Sequence, residues 1–246
     1  GKPSAGIADA SYLAFISARS NREPMVYIGA NDGMLHGFSA SDGRERFAYV
    51  PTPVYRNLAS LTSQDYQHVN FVDGQLATQD AQVGGEWRTY LVGGLAGGGQ
   101  GVFGLDVTDP SAASEGSPGS IVKWEFTDRD DAYMGYLYSH PMVRKLENGE
   151  WVAIFSSGFN AEYDDGRRPG TGQPAMFVLK LSGPTGQNRA WQLGTDYWRV
   201  ILPQGTAAAP NGLGGVTTFD IDGNGAANVA YAGDLTGRLW RVQLPG

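Results

Sequence analysis

Cysteine is absent from the 246 residues, which excludes disulfides, thiolate metal sites and a cysteine nucleophile. That absence leaves the compartment open, because a domain of this size can be exported without disulfides. Histidine is scarce: His36, His68 and His140 lie on separate segments with no metal-ligand spacing between them, so packing or surface hydrogen bonding is expected of each. No apolar run approaches the roughly 18 residues of a spanning helix, so no membrane insertion is expected. Positive charge is also sparse. Lys plus Arg number 18 against 25 Asp plus Glu, a formal charge of −7, and no basic run exceeds Arg167-Arg168, which argues against a nucleic-acid partner. No signal peptide is visible, and the opening Gly1-Lys2-Pro3-Ser4 reads as an internal cut in a longer protein.

Glycine is plentiful, with 36 residues beside 13 prolines and 12 tyrosines, a composition poor in helix formers that points to an all-β domain. Three segments share one grammar: an apolar strand ending in glycine, a Gly-rich turn, then a second apolar strand. They are MVYIGANDGMLHGFSASDGRERFAYV, YLVGGLAGGGQGVFGLDVTDP and VAYAGDLTGRLWRVQL, and a looser fourth copy joins VAIFSSGF to AMFVLKLSGPTGQNRAWQL across an insertion. Asn31-Asp32-Gly33 supplies the tight hairpin of the first copy. Copies recurring about every 60 residues predict a β-propeller with approximate blades at 10–51, 70–126, 136–193 and 214–244. That is roughly three complete blades and most of a fourth, within one partial domain over 1–246. The third strands are expected at 46–50, 121–126 and 189–193. Propellers bury their sheets by closing into a ring, so the remainder of the propeller or a second chain is needed to close it.

Within the fourth unit, FDIDGNGAANVAYAGD places Asp220, Asp222, Asn224 and Asn228 at positions 1, 3, 5 and 9 of a calcium loop, with the Ala226 carbonyl at position 7. Gly225 stands at position 6, where the chain must bend sharply. Tyr231 replaces the bidentate Glu of position 12, and the following VAYAG reads as a strand, so the site is expected between strands. With two formal charges facing the ion, affinity on the order of 10⁻⁵–10⁻³ M is expected. An Asp/Asn/Gly turn without metal is the alternative reading of the same residues.

The segments VYIGANDGMLHGF, HVNFVDG, LVGGLAGGGQGVFGLDVTDP, MGYLYSHPMVRKLENGEWVAIFSSGFN and DIDGNGAANVAYAGDLTGRLWRV together resemble, in order, the C-terminal β-propeller of the PilC/PilY family, the type IV pilus tip-associated adhesins. The resemblance covers the chain from about Met25 to Leu244. It implies a seven-bladed, quinoprotein-like propeller at the pilus tip or on the outer membrane surface of a Gram-negative bacterium, therefore extracellular. It also implies a non-enzymatic module whose Ca²⁺ loop regulates pilus extension and retraction, twitching motility and surface attachment. The implied partners are minor pilins and other pilus tip components, and a host or abiotic surface. The loop maps onto Asp220, Asp222, Asn224, Ala226 and Asn228; the family usually has Asp where Asn228 stands. No Arg-Gly-Asp tripeptide occurs, so integrin binding is not carried over.

Several further clusters have plain readings. Gly93-Gly94 and Gly97-Gly98-Gly99 lack the Lys-Ser/Thr of a phosphate loop and precede a strand, so a hairpin loop is expected. Asp128, Asp130 and Asp131 read as a solvated loop between blades or a second cation site. Glu162, Asp164, Asp165, Arg167 and Arg168 fall in a Gly/Pro-rich insertion, a self-neutralising loop that can also touch a partner. Two other functions stay open at this point: a calcium-dependent quinoprotein dehydrogenase, which shares the blade grammar but not its chemistry, and a carbohydrate- or matrix-binding propeller using Tyr133, Tyr136 and Trp198.

Overall fold

The computed structural model describes residues 9–246; the opening Gly1–Ser4 lies outside them. Four antiparallel sheets follow one another along the chain. The first comprises β1 (Met25–Gly29), β2 (Leu35–Ser39) and β3 (Glu45–Tyr49). The second is β4 (Leu76–Val83), β5 (Glu86–Gly94), β6 (Gly101–Asp106) and β7 (Val122–Thr127), and the third is β8 (Met142–Lys145), β9 (Trp151–Ser156), β10 (Ala175–Lys180) and β11 (Tyr197–Ile201). The fourth holds β12 (Leu213–Phe219), β13 (Val229–Asp234) and β14 (Leu239–Gln243). Neighbours in sequence are neighbours in each sheet, so every sheet is an up-and-down meander, the unit of a propeller blade.

Three apolar cores fill the three seams between successive sheets, and the strand sequences show why. β9 (WVAIFS) is buried at every position: Val152 and Ile154 enter the core shared with the fourth sheet, while Ala153 and Phe155 enter the core shared with the second. β10 divides likewise, with Met176 and Val178 on one side and Phe177 and Leu179 on the other. A strand sandwiched on both faces needs a continuous apolar run rather than an alternating one. The second seam is the most aromatic. Phe126 stands edge-on to Phe177 at 5.2 Å, to Tyr197 at 5.0 Å and to Trp191 at 5.5 Å, a geometry that adds roughly 0.5–1.5 kcal/mol per pair to the buried area.

The expected propeller arrangement is present, with two differences in strand placement. First, the unit anticipated over 10–51 begins with a helix, α1 (Ala10–Ala18), capped by Asp9, whose side chain accepts from the Ser11 and Tyr12 N–H groups. The first sheet therefore has three strands, and β1 occupies the position that β5, β9 and β13 hold second in theirs. Second, residues 189–193 are not a strand. The outer strand of the third sheet is Tyr197–Ile201, because the buried Asp196 accepts from Thr185 N, Thr185 Oγ1 and Gln192 N and turns the chain before it. Trp191 nevertheless packs between neighbouring sheets as its sequence context suggested, and its Nε1 donates to the Glu125 carbonyl at 2.7 Å.

The strand connections fall at two opposite ends of the sheets. Residues 50–75, 95–100, 128–141 and 157–174 link strands on one side, where Gln100 Nε2 donates to the Asn160 carbonyl. The β4–β5, β8–β9 and β12–β13 turns lie on the other, where Trp87 and Trp151 meet at 5.8 Å. The candidate loop is the β12–β13 connection, at this second end.

Candidate metal centre

β12 ends at Phe219 and β13 begins at Val229, and the ladder between them closes with Phe219 opposite Val229 and Asn228 N–H donating to the Phe219 carbonyl at 3.1 Å. The intervening residues are therefore held at both ends by a strand pair. Gly223 and Gly225 adopt φ of 75° and 91°, the left-handed region that a residue with a Cβ avoids. Those two bends curl the chain around the carboxylate of Asp220. Its Oδ1 accepts from Gly223 N at 2.7 Å and Asn224 N at 3.2 Å, and its Oδ2 accepts from Gly225 N at 2.7 Å.

The remaining predicted residues gather in the same turn. Asp222 Oδ2 accepts from Asn224 Nδ2 at 3.1 Å, Asn224 Oδ1 accepts from Ala226 N at 2.8 Å, and Asn228 Oδ1 accepts from Ile221 N at 3.1 Å. Ala226 is buried, while Asp220, Asp222 and Asn224 are exposed. Loss of solvent pushes the Asp220 carboxyl up. The hydrogen bonds from Gly225 N, Gly223 N and Asn224 N outweigh it and hold the group below the usual carboxylate range, so it is ionised at neutral pH.

As a donor set, two carboxylates, two amide oxygens and one carbonyl are all hard oxygens, the chemistry calcium takes and softer metals do not. A carboxylate offers about four acceptor sites, so the three N–H contacts of Asp220 leave it capacity for a cation. Among the described residues no three His, Cys, Asp or Glu side chains converge in a metal cage. The donor chemistry thus fits calcium through amide and carbonyl oxygens, at low ligand charge.

Sequence spacing missed what the loop leans on. Ala227 N–H donates to the Lys145 carbonyl at 2.8 Å, Leu146 and Ala227 form a parallel bridge, and Asn224 Nδ2 donates to Glu147 Oε2 at 2.9 Å. Lys145 ends β8, and Leu146 and Glu147 lie in the β8–β9 turn of the third sheet. Contacts across 77 or more residues carry no local signal, so this junction was not readable from the loop motif.

Other predicted clusters resolve differently. Asp131 is not part of a solvated loop: it is buried, and Arg199 Nη1 donates to both its oxygens at 2.6 and 2.5 Å, with Tyr197 OH at 2.9 Å. Asp130 is spent on Thr127, accepting from its N–H at 2.8 Å. Glu162 braces the insertion by accepting from Gly170 N and Gly172 N. His36 bridges Asp32 and Glu45 at 2.9 and 2.5 Å. Tyr133 lies under the Arg199 guanidinium at 4.5 Å, and Trp198 packs against the core between the third and fourth sheets. Of the glycine cluster, Gly93-Gly94 end β5 and Gly97-Gly98-Gly99 form the β5–β6 hairpin turn, as expected.

Comparison with known proteins agrees with this architecture. The chain is 41 % identical over 241 residues to a type IV pilus biogenesis factor PilY1 homolog of Xylella fastidiosa, covering 96 % of this chain and 15 % of that protein. It is 37 % identical over 237 residues to the type IV pilus biogenesis factor PilY1 of Pseudomonas aeruginosa strain PAO1, covering 95 % and 18 %. The chain thus spans less than a fifth of these relatives. The crystal structure of the Pseudomonas aeruginosa PilY1 C-terminal domain superposes with a TM-score of 0.72 at 34 % identity, over 95 % of this chain and 41 % of that one. The resemblance to the PilC/PilY family is borne out, and with residues 4–246 matching the PilY1 beta-propeller domain, the chain belongs to that family.

Proposed function

We propose that this propeller is a non-enzymatic module of a type IV pilus biogenesis factor at the bacterial cell surface, in which a calcium ion at the β12–β13 loop regulates pilus extension and retraction. Membership of the PilY1 family supports the pilus setting. The observation that carries the calcium reading is the enclosure of Asp220, Asp222, Asn224, Ala226 and Asn228 in one strand-anchored turn. The ion would draw the Asp220 and Asp222 carboxylates and the two amide oxygens into a single rigid turn. Because that turn is hydrogen-bonded to the β8–β9 turn, order in the loop is transmitted to the seam between the third and fourth sheets. The partners proposed are minor pilins at the pilus tip and a host or abiotic surface.

The test is calorimetric titration of calcium into the propeller domain beside its Asp222→Ala variant, with thermal melts in calcium and in chelator. For a dissociation constant near 10⁻⁴ M, about 1 mM calcium stabilises by about 1.4 kcal/mol, which raises Tm by roughly 3–6 °C. Asp222→Ala is expected to abolish the shift and leave the chelator melt in place. An unchanged calcium response in that variant would sink the assignment.

A further inference from the structure

The turn that touches the candidate calcium loop is fixed by its own sheet. Leu146 is fully buried in the core between the third and fourth sheets, and its N–H donates to the Glu150 carbonyl at 2.8 Å. Gly149 N–H donates back to the Leu146 carbonyl at 2.9 Å, with Gly149 at φ 86°, and Asn148 Oδ1 accepts from Glu150 N at 3.0 Å. Glu147 is thus the first central residue of a closed turn, with its backbone held on both sides. Its carboxylate reaches across the seam to Asn224. There Asn224 Nδ2 donates to Glu147 Oε2 at 2.9 Å and to Asp222 Oδ2 at 3.1 Å, while Asn224 Oδ1 accepts from Ala226 N at 2.8 Å. An amide nitrogen carries two hydrogens and an amide oxygen two lone pairs, so the nitrogen is fully used and the oxygen keeps one acceptor position. An oxygen in the nitrogen's place would face two carboxylates. The two acids therefore set which end of the amide points into the loop.

These acids are not equivalent. Asp222 stands at position 3 of the loop and belongs to the proposed ligand set, whereas Glu147 lies outside the loop, and among the described residues no three acidic side chains converge in a metal cage. An Asp222 oxygen that turns to a cation leaves the amide. Glu147 is then the acceptor that keeps Asn224 Nδ2 facing outward and Oδ1 available to the ion. We infer, on the calcium reading of this loop, that Glu147 is a positioning residue of the metal centre: a carboxylate from the third sheet that orients the Asn224 amide oxygen without itself ligating. The loop has Tyr231 where a calcium loop of the usual kind places its Glu, so this acid from a neighbouring sheet also supplies negative charge that the loop's own sequence lacks. Groups that orient a metal ligand from behind typically contribute roughly 10–100-fold in affinity. Glu147 is exposed, so the lower end, about 10-fold, is expected. Calcium affinity then depends on the junction of the third and fourth sheets, and by linkage the ion tightens that junction in return.

The experiment is calcium calorimetry on the complete parent protein, in which the heat that Asp222→Ala removes defines binding at this loop. Glu147→Ala is expected to weaken that binding about 10-fold, with the melt in chelator unchanged. The same substitution is then made in an Asn224→Asp background. No amide is left to orient there and two carboxylates face each other, so Glu147→Ala is expected to leave affinity unchanged or to raise it. An equal loss in both backgrounds would mean that Glu147 acts through its charge alone, and a loss below about twofold beside Asn224 would mean that it does not act on the site; either overturns the proposal and leaves the calcium reading standing. Only a parent protein from which Asp222→Ala removes no heat would overturn both.

Discussion

A carboxylate taken out of water is tolerated only when its charge and lone pairs are met, and Asp131 meets that condition through three residues. Arg199 spans both its oxygens, Tyr197 donates to one of them, and the Tyr133 N–H donates to Oδ1 at 3.0 Å. Arg199 in turn lies over the Tyr133 ring. The cluster ties the connection between the second and third sheets to the outer strand β11. Removing the acid alone leaves a guanidinium and a phenol without their acceptor, so Asp131→Ala is expected to cost about 3 kcal/mol, the lower end for a broken buried pair because Arg199 keeps some access to water. Replacing both members, as Asp131→Leu with Arg199→Met, is expected to recover most of that loss. Urea denaturation of the two variants measures it; a double variant as unstable as the single one would show that packing, not the orphaned charge, sets the cost. The sequence displays Asp128, Asp130 and Asp131 as equals. Only the strand carrying Arg199, 68 positions later, distinguishes the one that is buried.

Hairpins were readable because their determinants are local. Asn31-Asp32-Gly33 turns β1 into β2 with Gly33 at φ 98°, and the calcium-type spacing of 220–228 lies within a single turn. Elements fixed by distant contacts were not. The strand expected at 189–193 lies instead at 197–201, because Asp196 grips Thr185 and Gln192, and α1 escaped notice in a glycine-rich chain where its Asp9 cap is its main local signal. The β5–β6 turn shows what glycine supplies at element scale. A Cβ on Gly98 would overlap the Phe71 carbonyl oxygen, and backbone cannot swing aside as a side chain can. Gly98→Ala is therefore expected to destabilise by about 3 kcal/mol, the upper range for overpacking. Gly119, with open space around its Cβ position, is the matched control, and Gly119→Ala is expected to stay within about 0.5 kcal/mol. Equal melting points for the two variants would show that the turn relaxes and that its glycines are not there for close approach.

Among the described residues the four sheets form an array with two uncovered flanks, and each flank follows from the alternation that fills the seams. On the first sheet Tyr27 and Leu35 turn inward to the seam with the second sheet, which leaves Val26 and Ile28 more than half exposed on the other face. On the fourth sheet Val216, Ala230 and Val242 turn inward, leaving Phe219 and Leu239 at 51 % and 74 % exposure. Apolar groups set on flat sheet faces and flanked by unpaired strand edges are sites of association. The two flanks differ in sequence and shape, so a contact between them is head-to-tail, a geometry that extends or closes into rings instead of stopping at a symmetric pair. The 246-residue chain by itself is therefore expected to sediment as a concentration-dependent mixture of oligomers at tens of micromolar, despite a net charge of −7 that opposes contact. Val26→Glu combined with Leu239→Glu places like charges on both flanks and is expected to shift the distribution to monomer without changing the melt. A wild-type chain that sediments as a single monomeric species across that range would show that these flanks are not adhesive.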